Sequence, residues 1–434
     1  METPPLSGRP LVAAVLGNAG WLLAEKAVRL LIGVAVSAWV ARYLGPDQFG
    51  ALSYAFALVA LLAVVANAGL DSIVVREIAR APERRDALLG SAFALKLAGS
   101  ALAIACALGA ALVLREPGDA LPWLVLPAAL ALAFQAFDTV DLWFQSQLKA
   151  RQAALARNAA FLGVAAFKVA LVLAAAPLWA FAWAALLEAA LTAAALATAY
   201  RMNGGRLLAW RLEAPRAGEL LREGWPLMLA GLMVAVYMRI DQVMLGAMAG
   251  AEAVGVYSAA VFLSEPWFFI AMAIVTSAAP ALARAHQADP GAQERRFIQL
   301  FRGLLVVSIA IAIVVSLGAG LLVRLVFGEQ FAAAAAVLAV HAWATVFVAL
   351  GVGSSQYLVL EGLARVSLQR TLVGAVLNIV LNLLWIPKYG ALGCAWATLL
   401  SYATATFFLF HTPATRRCLA LMLAALRPSR AGSA

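Results

Sequence analysis

Eleven ionisable side chains lie inside stretches otherwise built from Ala, Leu, Val and Phe: Glu25, Lys26, Arg29, Lys96, Asp138, Asp141, Lys168, Glu188, Arg239, Asp241 and Glu265. If those stretches face lipid, each charge costs about 2.5–3.5 kcal/mol on insertion scales, so each must be paired, hydrated or put to use. Lys26, Arg29, Gly33 and Ser37 share one helical face. A cationic face of small residues can border water and hold a phosphate, which a guanidinium grips in bidentate fashion. The same Arg29 is also placed for an i,i+4 pair with Glu25 that only neutralises itself. Gln135, Asp138, Asp141 and Gln145 form a polar stripe. Two carboxylates at i,i+3 suit a proton or sodium ion, or salt bridges to Lys96 or Lys168. Arg239 and Asp241 are two residues apart and face different sides of their helix. Glu188 and Glu265 are isolated acids suited to structural hydrogen bonds. Five of the eleven are basic and six acidic, a balance that points to pairing or a wet cavity rather than a pore of one sign.

No motif for bond-breaking chemistry accompanies these groups. HExxH, GxSxG and P-loop patterns are missing, and no His, Cys, Asp and Glu cluster has metal-ligand spacing. The three cysteines, Cys106, Cys394 and Cys418, form no CxxC. The expectation is a protein with no catalytic residue, no metal and no cofactor beyond a possible H+ or Na+ coupling ion. The apolar start after METPPLSGRP lacks a convincing cleavage site and reads as a retained segment.

The elements that must hold these charges are set by composition. Of 434 residues, 65% are hydrophobic and 12% charged, against roughly 45–50% and about 25% in ordinary soluble domains. That excess excludes a soluble enzyme, a nucleic-acid binder and a disordered chain. A span needs about 20 mostly apolar residues, and twelve candidates result: 15–43, 51–70, 88–114, 121–145, 155–176 and 178–200, then 225–249, 255–280, 300–327, 332–359, 367–387 and 390–411. The net charge of +10 fits cationic loops beside anionic lipid better than nucleic acid. Twenty-three of the 32 Lys and Arg fall on one set of alternate connections, and only Arg42, Arg115, Arg324 and Lys388 on the other. The split predicts twelve spans with both termini cytoplasmic.

The chain divides into residues 1–200, a basic interfacial linker at 201–224, residues 225–411, and a basic tail at 412–434. A shift of 213 residues lays Arg157 on Arg370 and Ala182–Leu187 on Ala395–Leu400; another lays Gly50–Ser53 on Gly255–Ser258. Six spans per repeat make the repeats parallel, related by an axis along the membrane normal, with the substrate path between them. The fold class is therefore an all-α polytopic membrane protein with two pseudo-symmetric six-helix lobes around a central cavity.

Three stretches resemble the polysaccharide or O-antigen flippases of the multidrug/oligosaccharidyl-lipid/polysaccharide exporter superfamily. They are WVARYLGPDQFGALSYAFAL with GLDSIVVREIAR, YMRIDQVMLG with GVYSAAVFLSEPW, and NIVLNLLWIPKYGALGCAWATLLSY. Gly45-Pro46 and Pro387 to Gly390 suit tight turns between spans, and Gly393 suits close helix contact. The resemblance implies a polyprenyl-diphosphate-linked oligosaccharide as substrate, moved from the cytoplasmic to the outer leaflet of a bacterial plasma membrane by alternating access. It implies head-group contacts at Lys26 and Arg29, then Lys96, Lys168 and Arg239. Asp138, Asp141, Asp241, Glu188 and Glu265 remain as cavity or ion-coupling acids. Membrane lipids are expected partners, with a polysaccharide polymerase and chain-length machinery as further ones; nucleic acid is not. Two other readings stay open: a cation-coupled multidrug and toxin extrusion antiporter, and a membrane-embedded polymerase or ligase. A lipid II flippase would be expected to have fourteen spans.

Overall fold

The structure is a computed structural model describing residues 8–114, 120–147, 149–288, 290–410 and 412–426, without the side chains of 8–28, 30, 150, 287, 288, 290 and 364. Glu25 and Lys26 therefore lie outside the described side chains. Arg115, Glu116, Asp119, His411, Arg427 and Arg430 lie outside the described residues altogether.

Every regular element among the described residues is helical. In order they are α1 (Gly8–Asn67), α2 (Asp71–Arg80), α3 (Arg85–Leu114), α4 (Leu121–Gln135), α5 (Asp138–Ser146), α6 (Ala150–Leu173) and α7 (Leu178–Met202). Then follow α8 (Ala214–Ser264), α9 (Phe268–Ala288), α10 (Pro290–Leu317), α11 (Ala319–Phe327), α12 (Ala334–His341), α13 (Ala344–Leu360), α14 (Ala364–Phe407) and α15 (Pro413–Ala425). Nine helical stretches among the described residues are long and apolar enough to cross a bilayer. Three of these are too long for one crossing, and each contains a glycine in the left half of the φ map: Gly45 (φ 74°), Gly250 (φ 84°) and Gly390 (φ 54°). Side chains disfavour that conformation and glycine does not. Breaking α1, α8 and α14 at these residues turns nine stretches into twelve crossings. Helix α8 begins at Ala214, so its first turns occupy part of the stretch read as linker.

The two halves are related by symmetry at the place where they touch. A Cβ built on Gly50 would lie 1.8 Å from the Ala251 carbonyl oxygen, and one on Gly255 would lie 1.9 Å from that of Pro46. Under the 205-residue offset of the two broken helices, these are the same contact made twice. Isologous pairing of this kind is what a two-fold axis generates. Only glycine allows so close an approach of backbones.

Packing differs between the two ends of the molecule. Around this glycine contact one continuous core takes residues from both halves, including Leu44, Tyr54, Leu132 and Phe181 with Leu245, Tyr257, Phe327 and Leu338. Towards the opposite end, where most Lys and Arg lie, the core divides. One cluster holds Ile73, Leu89, Trp143 and Tyr200; a separate one holds Phe297, Phe301, Leu350 and Tyr357. There α8 of the second half packs Leu220 into the first-lobe cluster. The carbonyl of Gly224 would lie 2.5 Å from a Cβ on Gly69, and Arg76 forms an ion pair with Glu223 across the same junction.

Candidate functional site

Between the lobes lies a cavity of about 800 Å³. The first half of α1 supplies Arg29, Gly33 and Ser37, and the second half supplies Phe49, Ser53 and Phe56. Phe161 comes from α6, Arg239 and Gln242 from α8, and Phe262 from the short segment after Gly250, with Glu265 and Pro266 just beyond it. The 3.6-residue helical repeat explains the α1 contribution, because 29, 33 and 37 recur on one face. Arg29 lies over the Phe161 ring with its guanidinium carbon 4.8 Å from the centroid. It donates a long bond (3.4 Å) to the Asn158 side-chain oxygen, and it has no carboxylate partner among the described side chains. Arg239 is paired with Glu265 at 3.1 Å, both partly exposed to the cavity. The described wall thus carries two guanidinium groups and one carboxylate among phenylalanines.

A second cavity of about 400 Å³ lies between the lobes toward the basic end. It is lined by Asn67, Asp71, Lys96, Gln135 and Asp138 from the first half and by Leu227 and Gly231 from the second. Lys96 is almost fully buried and donates to Asp71 at 2.7 Å, and Asn67 donates to the same carboxylate at 2.8 Å. Lys96 is thus neutralised at the cavity wall.

A family model described as polysaccharide biosynthesis protein matches residues 15–286, well over half of the chain. The chain belongs to that family. The MatE family model also matches, over residues 226–384. No curated protein matches. Among solved structures, an inward-facing multidrug resistance MATE family transporter of the MOP superfamily is 17% identical with a TM-score of 0.72, covering 91% of this chain and 95% of that one. Lipid II flippase MurJ in an inward closed conformation is 13% identical with a TM-score of 0.72, covering 93% and 90%. A MOP superfamily transporter from Pyrococcus furiosus is 18% identical with a TM-score of 0.62, covering 92% and 93%. The two-lobe, all-helical, multi-pass fold of this family member is the one these structures share.

The remaining charged residues of this family member sit away from the central cavity. Lys168 on α6 pairs with Glu188 on α7 at 3.2 Å within the first lobe. Asp141 on α5 pairs with Arg157 on α6 at 2.6 Å and accepts from Gln145 at 3.0 Å. Its partner is therefore neither Lys96 nor Lys168. The structure brings Arg29, Arg239 and Glu265 to one cavity, Lys96 and Asp138 to another, and Lys168, Glu188 and Asp141 to neither.

Asp241 occupies a site that sequence reasoning left incomplete. Arg239 faces the cavity while Asp241, two residues on, points into the second lobe and is 2% exposed. Its carboxylate accepts from the Tyr257 hydroxyl (2.9 Å), the Thr398 hydroxyl (2.6 Å) and the Asn382 amide (2.7 Å). Asn382 also donates to Asn378 at 3.1 Å, while the Asn382 side-chain oxygen and the Asn378 amide nitrogen are buried with no hydrogen-bond partner. No cationic side chain pairs with Asp241 among the described residues. The signal was present in the NIVLN run, whose asparagines sit at i,i+4, but only the fold reveals that they face a carboxylate from α8.

Proposed function

We propose that this protein moves a polyprenyl-diphosphate-linked oligosaccharide across the bacterial plasma membrane, from the cytoplasmic to the outer leaflet, during cell-surface polysaccharide assembly. The observation that carries the reading is Arg29. It is a guanidinium facing an 800 Å³ chamber between two lobes, with no described carboxylate to neutralise it. A sugar–diphosphate head group cannot enter hydrocarbon unaided, while its polyprenyl tail never has to leave it. The protein need only offer the head a cationic, hydrated space, and no bond has to break. With the Lys- and Arg-rich end cytoplasmic, both termini are cytoplasmic, and the cavity beside Lys96 and Asp138 is the antechamber through which the head group loads. A polymerase and chain-length machinery would take up the product outside.

Asp241 supports an ion-coupled cycle. A buried carboxylate met by two hydroxyls and an amide N–H, with an unpartnered amide oxygen beside it, suits a proton or a sodium ion. Titrating sodium into proteoliposomes at fixed pH separates the two.

A second reading is kept by the phenylalanine-rich wall and Glu265, which also suit a lipophilic organic cation. The experiment is translocation of a fluorescent lipid-linked oligosaccharide in proteoliposomes, with ethidium efflux measured in parallel. The flippase reading expects the first and not the second. In the same assay Arg29→Ala slows translocation about tenfold or more, as expected for a lost charge-assisted contact. Undiminished translocation by this variant would remove the head-group site.

A further inference from the structure

The two lobes treat one repeated arginine differently. Arg157 and Arg370 occupy the same place under the 213-residue shift. Each bonds to the residue sixteen positions earlier. For Arg157 that residue is Asp141, at 2.6 Å. For Arg370 it is Ser354, also at 2.6 Å. The second lobe has kept the cation and replaced its carboxylate by a hydroxyl.

Arg370 is 5% exposed. Its bonds go to the Ser354 hydroxyl, the Ser355 hydroxyl and the Gly351 carbonyl at 2.8 Å, all neutral acceptors. No carboxylate pairs with it among the described residues. A guanidinium has five N–H donors, so two are unused. A buried cation without a counter-charge is costly in this setting. Beside it is a cavity of about 240 Å³ between α8, α9, α13 and α14, walled by Tyr237, Phe268, Phe347 and Tyr402, with Ser355 and Thr371 adding hydroxyls.

We infer that this cavity is an anion site for a phosphate group, with Arg370 as its cationic anchor. The missing carboxylate of the repeat defines the charge of the ligand, and the unused N–H groups leave it donors to meet. Basic pockets between transmembrane helices at the level of lipid head groups hold phosphates, and Arg370 lies on the side of the molecule where most Lys and Arg cluster. The phosphate comes either free from solution or on an anionic phospholipid. The site is separate from the inter-lobe chamber and does not rest on the substrate assigned above.

The test is thermal unfolding of the purified protein in detergent. The additives are inorganic phosphate, chloride at equal ionic strength, phosphatidylglycerol and phosphatidylcholine. Either phosphate or phosphatidylglycerol raises Tm by about 2 °C or more, and chloride and phosphatidylcholine do not. A response to inorganic phosphate identifies a free anion; a response to phosphatidylglycerol alone identifies a lipid. Ser354→Asp rebuilds the arrangement of the other lobe and abolishes the response, whereas Ser354→Asn keeps it. Arg370→Gln abolishes it as well. A wild-type protein unmoved by both anions, or a Ser354→Asp variant that responds like wild type, would overturn the assignment.

Discussion

At the scale of single residues, the intramembrane charges separate by what neutralises them. Lys96 with Asp71, Lys168 with Glu188, Asp141 with Arg157 and Arg239 with Glu265 are internal pairs. Arg29 and Asp241 have no described partner of opposite charge. Asp241→Asn keeps the size of the side chain and most of its hydrogen bonds. It should leave the protein folded while making transport insensitive to the imposed ion gradient, which a gradient-jump assay in proteoliposomes reads. Thr398→Val should shift the ion concentration for half-maximal transport upward by about tenfold, the order expected for one lost ligand. Both arginine and aspartate were visible in the sequence as charges out of place. Their partners were not. Helical periodicity tells which residues share a face, but not which face of another helix that face meets. Asp141 found Arg157 on α6, and Asp241 found Tyr257, Asn382 and Thr398, the last two about 140 residues or more further along.

At the scale of elements, the twelve crossings were legible because two independent signals agreed. Apolar length gave their number and the alternation of basic connections gave their parity. Two of the three sharp turns were marked, by Gly45-Pro46 and Gly390, and the third, at Gly250, was not singled out; each backbone there needs a residue without Cβ. Less legible were the division of the fourth crossing into α4 and α5, just before Asp138, and the early start of α8 at Ala214. No proline or glycine marks the first, and the second runs through a basic stretch that composition alone assigns to a surface. The contact between Gly50 and Gly255 gives this scale its prediction. Gly50→Ala places a methyl where the Ala251 carbonyl already lies. The joint must open, and Tm should fall by several degrees, as for an overpacked core position costing about 1–3 kcal/mol. Gly109→Ala, with nothing near its built Cβ, is the matched control and should leave Tm unchanged.

At the scale of the whole molecule, the lobes share one core at one end and have two at the other. The junction at the basic end includes the Gly69–Gly224 approach, Leu220 of α8 buried in the first-lobe cluster, and the Arg76–Glu223 pair, whose side chains are 44% and 53% exposed. Exposed pairs are screened by water and contribute little. Glu223→Gln should therefore raise the open population by about fivefold at most. A cysteine placed at Leu227, on the wall of the antechamber, should react correspondingly faster with a membrane-impermeant maleimide added from that side. An unchanged labelling rate would mean that the pair does not hold the junction.

The unequal seams also set the direction in which work must be done. Parting the basic end disturbs the Gly69–Gly224 approach, the burial of Leu220 among first-lobe side chains and a surface charge pair. Parting the far end would strip Leu44, Tyr54, Tyr257 and Phe327 from their neighbours, exposing apolar surface at about 25 cal/mol per Å². A molecule built this way carries its hard seal at one end and a lighter latch at the basic end.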